Sequence, residues 1–88
     1  MIDENEATVI CKKAIDTYGQ AMQSIVAMEE ASELVQAISK GLREKEHNIE
    51  EEIADVEIMC MQLRIMHNSK MVDKIKQQKL HRLKGMVW

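Results

Sequence analysis

The absence of proline is the feature that most restricts how this chain can fold. Its 88 residues include no proline and only three glycines, so few positions can form the turns of a β-meander. Hydrophobic residues make up 45% of the chain, which argues against disorder, and they recur at helical spacing. The sequence therefore predicts an all-α fold, with a single small domain over residues 1–88.

Four helices are expected from the apolar spacing and from the residues that begin and end helices. Asp3 and Glu6 have the spacing of a capping box, Asn48 is a favourable N-cap, and Gly85 is a typical helix stop. The predicted helices cover residues 3–17, 20–40, 48–67 and 70–84. A kink or short turn is expected at residues 18–19, and a polar loop at residues 41–47.

The third predicted helix is apolar on almost every side, which normally means burial on every side. A chain of this size buries only about 60–65% of its unfolded surface, so its own core is thin. We therefore expect a bundle that oligomerisation completes, as a homodimer or a homotetramer. Ile58, Met61 and Ile65 point away from the acidic side of this helix, so they are the expected contact with another helix or subunit.

Composition and charge exclude several classes of protein. No run of about 18 apolar residues could span a membrane, and the acidic first residues do not resemble a signal peptide. Cys11 and Cys60 lack metal-site or disulfide spacing, so both are expected to be small buried side chains. The net charge of −3 argues against nonspecific nucleic-acid binding. We expect a cytoplasmic protein whose partners include neither membrane nor nucleic acid.

Charge is unevenly distributed along the chain. Residues 1–57 contain 14 acidic and 5 basic residues, whereas residues 58–88 contain one acidic and 7 basic residues. On the fourth predicted helix, Lys76 and Lys79 lie on the apolar side, and Arg82 lies 60° from Lys79. These three are candidates for binding phosphate. The alternative is a solvated helix end whose charges complement the helix dipole.

Two pairs of carboxylates border faces that should be buried. Glu30 and Glu33 lie 60° apart on the second helix, and Glu52 and Asp55 are spaced in the same way on the third. Carboxylates facing a core are costly when unpaired, and two such pairs would repel each other. Oxygen ligands without thiolate or a paired imidazole suit a hard cation such as Mg²⁺ or Mn²⁺.

Three interpretations of these carboxylates remain open. They could form a metal site, or they could form a solvated acidic face with helix-capping glutamates. A ferritin-like di-iron site is the third, but it needs Glu-x-x-His on two helices, and no histidine completes that motif on an apolar face. Gln23, seven residues before Glu30 and almost directly above it on the helix, could bind a base, a sugar or a metal-bound water. The alternative for Gln23 is a surface polar residue.

The acidic motif resembles that of a known family. Glu29-Glu30-x-x-Glu33, then 18 residues, then Glu52-x-x-Asp55 is similar to the signature of the MazG-like nucleotide pyrophosphohydrolases, of the all-α NTP pyrophosphatase superfamily. Tyr18-Gly19, Gln23, the apolar run after Asp55 and the basic segment at residues 79–82 are also similar. The resemblance covers roughly residues 15–84.

This resemblance implies a Mg²⁺-dependent hydrolysis of nucleoside triphosphates to monophosphates and pyrophosphate, as house-cleaning of the nucleotide pool. It implies that Glu30, Glu33, Glu52 and Asp55 bind metal, with Glu29 or Glu33 helping the attacking water. A related activity on phosphoribosyl-ATP or dUTP is the alternative within the superfamily. The alternative outside enzymes is a helical oligomerisation or regulatory module.

Overall fold

The computed structural model describes all 88 residues and confirms the all-α prediction, since it contains four helices and no strand. The helices are α1 (Glu4–Tyr18), α2 (Gln20–Leu42), α3 (Ile49–Met66) and α4 (Ser69–Val87). Each begins and ends within three residues of its predicted position. None of the four combines the length and the apolarity that a membrane span needs.

An antiparallel pair of helices, α2 and α3, is the centre of the fold. The two helices pack along each other and are joined by residues 43–48. α1 contacts both of them, whereas α4 contacts α3 alone. The site described below lies on the faces that α2 and α3 turn toward each other.

The core of the single chain is small. Only seven of the 88 residues are buried, and four of these are apolar, namely Cys11, Ile15, Ala37 and Met59. The other three are the polar residues Gln23, Glu52 and Gln62. α4 contributes no buried residue. Most apolar side chains of the single chain are therefore at least partly exposed.

Side chains cap the N-termini of α1 and α4. The Asp3 carboxylate accepts a hydrogen bond from the Glu6 backbone N–H at 2.8 Å, and the Asn68 side chain accepts one from the Met71 N–H at 2.9 Å. Asn48 is the N-cap residue of α3, as expected, but its side chain accepts no hydrogen bond from the start of the helix. Its amide instead donates to Glu52.

Two further expectations are corrected. Gly85 does not end α4, which continues to Val87; a glycine inside a helix costs only about 1 kcal/mol relative to alanine, so it need not stop one. Cys11 is buried as expected, but Cys60 is exposed. Of the residues expected at a contact with another helix or subunit, Ile58 is 49% exposed, while Met61 and Ile65 are half-buried.

The joint between α1 and α2 depends on one residue. Gly19 has φ = 91° and ψ = 153°, a backbone conformation that is essentially restricted to glycine. Its N–H donates to the Ile15 carbonyl at 2.8 Å and its carbonyl accepts from the Gln23 N–H at 3.1 Å. One glycine therefore ends α1 and begins α2.

Replacing Gly19 and Gly85 by alanine should have different effects on stability. Neither position has an atom within 4 Å of an added Cβ, so steric clash with other elements is not a factor. Gly19→Ala should lower the free energy of unfolding by about 1–3 kcal/mol because of backbone strain. Gly85→Ala should leave it unchanged or raise it by up to about 1 kcal/mol through helix propensity. Urea unfolding followed by circular dichroism measures both, and equal effects would contradict the strained joint.

Candidate metal centre

Three carboxylates from two helices converge in the space between α2 and α3. Glu30 and Glu33 come from successive turns of α2, and Glu52 comes from the first turn of α3. One oxygen from each lies within 4.8 Å of the others. The i, i+3 spacing places both α2 carboxylates on one side of that helix, and the antiparallel pairing brings Glu52 opposite them. We call these three residues the acidic cluster.

The three residues of the acidic cluster differ in how deeply they are buried. Glu52 is 7% exposed, Glu30 is half-buried and Glu33 is exposed. The Asn48 amide donates a 2.8 Å hydrogen bond to Oε1 of Glu52, which orients that carboxylate. Oε2 of Glu52 and Oε2 of Glu30 are both buried and have no hydrogen-bond partner. Two acceptors are therefore left without a donor in a site that contains no basic side chain.

The electrostatics of the acidic cluster favour a bound proton or cation. Burial raises the pKa of Glu30 above its ordinary value of 4.5, and the charges of Glu33, Asp55 and Glu52 raise it further. Burial also raises the pKa of Glu52, as does the charge of Glu33, while the hydrogen bond from Asn48 acts in the opposite direction. Both carboxylates are thus less stable as free anions in this site than in water.

A divalent cation is the partner that these ligands fit best. The donors are carboxylate oxygens alone, which suit hard cations such as Mg²⁺, Mn²⁺ or Ca²⁺ rather than softer metals. A cation would satisfy both unpartnered oxygens and remove the repulsion between the three charges. Glu30, Glu33 and Glu52 could therefore hold such an ion.

The other expected acidic residues lie around the acidic cluster. Asp55 is half-buried and its charge raises the pKa of both Glu30 and Glu52, but its carboxylate is not part of the group within 4.8 Å. Glu29 is exposed and points about 100° away from Glu30 around α2. The structure thus brings together three of the four expected metal ligands and leaves Asp55 beside them.

A buried pair of amides lies along the same two helices. Gln23 is 6% exposed, so the alternative of a surface polar residue is wrong. Its Nε2 donates to Oε1 of Gln62 at 2.8 Å, and Gln62 is 5% exposed. Gln23 lies two turns from Glu30, about 10 Å along α2 at 1.5 Å per residue. Each glutamine keeps one amide atom that bonds to no other protein group and is not sealed from solvent.

The expected phosphate-binding residues lie elsewhere in the single chain. Lys76, Lys79 and Arg82 are exposed on α4, and α4 makes no contact with α2. Lys76 lines a crevice between α3 and α4 together with Cys60 and Arg64. The chain on its own does not place these basic residues beside the acidic cluster.

Sequence reasoning missed two residues that the structure adds to the site. Asn48 was expected to cap α3, yet its four-residue spacing from Glu52 places the two side chains on one side of the helix. Gln62 lies seven residues after Asp55, on the same line of α3. Helical spacing from the carboxylates could have identified both.

Comparison with known proteins gives no match: no family model, no curated protein and no solved structure matches this chain.

The metal-free protein should become less stable as pH rises. A carboxyl whose pKa is higher in the folded than in the unfolded chain contributes fully below the unfolded value of about 4.5, and its contribution is lost as pH rises through the raised pKa. At pH 7 the charged Glu30 and Glu52 should therefore destabilise the metal-free fold. Glu30→Gln and Glu52→Gln should each raise its melting temperature at pH 7, measured in EDTA.

A matched control separates burial from net charge. Glu29→Gln removes the same charge from an exposed position on α2 beside the acidic cluster, so it should change the melting temperature much less. The gain from Glu52→Gln should also disappear at pH 4. A loss of stability at pH 7 in both buried variants would contradict this description of the site.

Proposed function

We propose that this protein is a Mg²⁺-dependent nucleoside triphosphate pyrophosphohydrolase, which converts (d)NTP and water to (d)NMP and pyrophosphate. The observation that carries the proposal is the convergence of Glu30, Glu33 and Glu52, with two buried oxygens that lack a partner. These residues occupy the positions of the motif that resembles the MazG-like family. Mn²⁺ could replace Mg²⁺, because both accept the same oxygen ligands.

The protein residues of the site would divide the work of hydrolysis. When bound, Mg²⁺ would neutralise phosphate oxygens and lower the pKa of a water ligand. Glu30 and Glu52, the more buried carboxylates, would hold the metal, and Asn48 would keep Glu52 in position. Asp55, half-buried beside them, would supply a further ligand.

Exposure indicates which carboxylate would accept the proton of the attacking water. Glu33 is part of the acidic cluster yet is exposed, so it can contact both metal and solvent. Glu29 is exposed and adjacent, and is the second candidate. As the new P–O bond forms, the water proton would pass to this carboxylate, and pyrophosphate would leave with the electron pair of the broken α–β anhydride bond.

Gln23 is proposed to contact the nucleoside portion of the substrate. Its nitrogen is used by Gln62, so its own carbonyl oxygen and the Gln62 nitrogen are the groups that remain. A position about 10 Å along the helix from the metal ligands suits a base or a sugar when the phosphates lie at the acidic cluster. Lys76, Lys79 and Arg82 are proposed to bind the phosphates.

We also propose that the working form is a homodimer or a homotetramer. Only four apolar residues are buried in the single chain, and exposed apolar side chains occur on all four helices. Small domains commonly complete their cores by oligomerisation. The assay of reaction products should identify the nucleotide that is hydrolysed. It includes dUTP and phosphoribosyl-ATP as the related substrates.

Divalent metal should stabilise the protein through the acidic cluster. A ligand that binds only the native state raises its stability by mass action, so Mg²⁺ or Mn²⁺ should raise the melting temperature of the wild type. Glu52→Gln and Asp55→Asn should abolish or strongly reduce that rise, whereas Glu57→Gln, an exposed carboxylate of α3, should preserve it. If the wild type melts at the same temperature with Mg²⁺ and with EDTA, the acidic cluster does not bind metal and is only a charged surface.

The reaction products identify the bond that is cut. Each NTP and dNTP, dUTP and phosphoribosyl-ATP is incubated with enzyme and Mg²⁺, and the products are separated by ion exchange. Monophosphate and pyrophosphate are expected. Diphosphate with orthophosphate would show a γ-phosphatase instead, and metal binding without turnover of any nucleotide would favour a regulatory module.

Mutant kinetics should separate the roles of the acidic and basic residues. Glu33→Gln should lower kcat by about two orders of magnitude or more, because proton transfer contributes in the transition state. Lys79→Ala should mainly raise KM, because a phosphate contact made equally in the ground state is uniform binding. A fall in kcat for Lys79→Ala with KM unchanged would show that Lys79 acts in the transition state.

A further inference from the structure

Gln23 and Gln62 are the buried polar residues that the acidic cluster does not include. Three polar or charged residues are buried in the chain, and the third of them is Glu52. Nε2 of Gln23 donates to Oε1 of Gln62 at 2.8 Å, across the contact between α2 and α3. We call these two residues the amide pair. Buried amide groups are costly unless they form hydrogen bonds, so the groups that this bond leaves free are candidates for contact with a ligand.

The amide pair lies on the same lines of the two helices as the acidic residues. Gln23 precedes Glu30 by seven residues on α2, and Gln62 follows Asp55 by seven residues on α3. Seven residues bring a helix back to within about 20° of the same direction and advance it by about 10 Å. Because α2 and α3 are antiparallel, both displacements have the same direction. A ligand with one end at the acidic cluster can therefore reach the amide pair with its other end.

No third protein group fixes the direction of the bond within the amide pair. It is the only hydrogen bond that either side-chain amide makes. A glutamine amide carries an acceptor oxygen and a donor nitrogen on one carbon. If both amides turn by 180° about the last side-chain bond, the Gln62 nitrogen donates to the Gln23 oxygen in the same place. Each direction makes one hydrogen bond, and the two differ in which residue presents oxygen to a ligand and which presents nitrogen.

The two directions of the bond match two classes of nucleobase. Adenine and cytosine carry an exocyclic amino group, which donates, whereas guanine, thymine and uracil carry an exocyclic oxygen, which accepts. When the oxygen of a glutamine faces the base, it accepts from an amino group. When the nitrogen of the same glutamine faces the base, it donates to an exocyclic oxygen. An amide held in one direction would satisfy one class and leave the other unpaired.

We propose that the amide pair contacts the base of the nucleotide and accepts amino and oxo bases alike by reversing its internal bond. The substrates are then nucleoside triphosphates of both classes, including the deaminated bases hypoxanthine and uracil. This inference rests on the proposed function, which places the phosphates at the acidic cluster. Neither α2 nor α3 contains an aromatic residue, so the amide pair supplies the directional contacts that these two helices offer a base.

Paired substrates test the inference in the wild type. The bases of dCTP and dUTP differ by an amino and an oxo group at the same position, as do those of dATP and dITP. Within each pair kcat/KM should differ by less than about tenfold, the effect of leaving one buried amide group unpaired. A site with fixed donors and acceptors discriminates much more strongly. A larger preference within either pair would overturn the proposal.

Replacing either glutamine by glutamate fixes what the amide pair presents. An ionised carboxylate only accepts hydrogen bonds, so in Gln23→Glu the Gln62 nitrogen must donate to the new carboxylate and both free atoms are oxygens. Gln62→Glu gives the same result. At pH 8 each variant should raise the ratio of kcat/KM for dCTP to that for dUTP by about tenfold or more. An unchanged ratio in a variant that folds would show that the base does not contact the amide pair, and would overturn the proposal.

Gln36→Glu is the matched control for both variants. Gln36 is an exposed residue of α2, about 140° around the helix from Gln23, so the change adds the same charge to the same helix and should leave the ratio unchanged. A loss of stability or a repulsion of the phosphates lowers activity toward dCTP and dUTP alike and cancels in the ratio. Circular dichroism checks the folding of each variant. If neither glutamate variant folds, the paired substrates of the wild type still decide.

Binding measurements separate this inference from the proposed function. The α,β-methylene analogues of dCTP and dUTP cannot be cut between the α and β phosphates, so calorimetry with Mg²⁺ measures their binding alone. Comparable affinities of the wild type for both analogues, with a preference of Gln23→Glu for the dCTP analogue, would keep the inference even if no nucleotide is hydrolysed. Hydrolysis of only one member of each substrate pair would keep the enzyme and reject the inference. Failure of both analogues to bind would also reject it.

Discussion

The placement of two carboxylates between α2 and α3 is the constraint on which the rest of this structure depends. Glu30 and Glu52 each bury an oxygen that no protein group satisfies, and burial of an unpaired charge is unfavourable. The helix pair nevertheless places a third carboxylate beside them. A fold selected for stability alone would replace these residues by apolar ones, and a bound proton or cation would relieve the cost of keeping them.

The secondary structure was largely predictable from the sequence, because helix ends depend on local interactions. Asp3 and Asn68 cap their helices through their own side chains, and Gly19 adopts a conformation that other residues avoid. At the start of α3, one local side-chain hydrogen bond replaces the one that was expected. Asn48 bonds to Glu52 rather than to the backbone of α3.

The residues of the candidate site could be predicted from the sequence, but their arrangement in space could not. Spacing alone placed Glu30 and Glu33 on one side of α2, and the antiparallel pairing that joins them to Glu52 follows from a short connection. Spacing could not show that Asp55 stands beside the acidic cluster rather than in it. Nor could it show that α3 separates the basic residues of α4 from the carboxylates, since that depends on the direction in which α4 leaves α3. The exposure of Cys60 also depends on that direction, because Cys60 lies on the side of α3 toward α4.

The bond between Gln23 and Gln62 has a consequence for the uniqueness of the fold. Apolar contacts between helices are non-directional, and the eight methionines of the chain adapt to many shapes, so several alignments of α2 against α3 could bury similar areas. Sliding one helix by a single turn, about 5.4 Å, would leave two buried amides without partners, at a cost of about 1–3 kcal/mol each. The amide pair therefore fixes the register of α2 against α3. It selects the one alignment in which the carboxylates of the two helices stand opposite each other, so the residues that favour a single native packing also assemble the site.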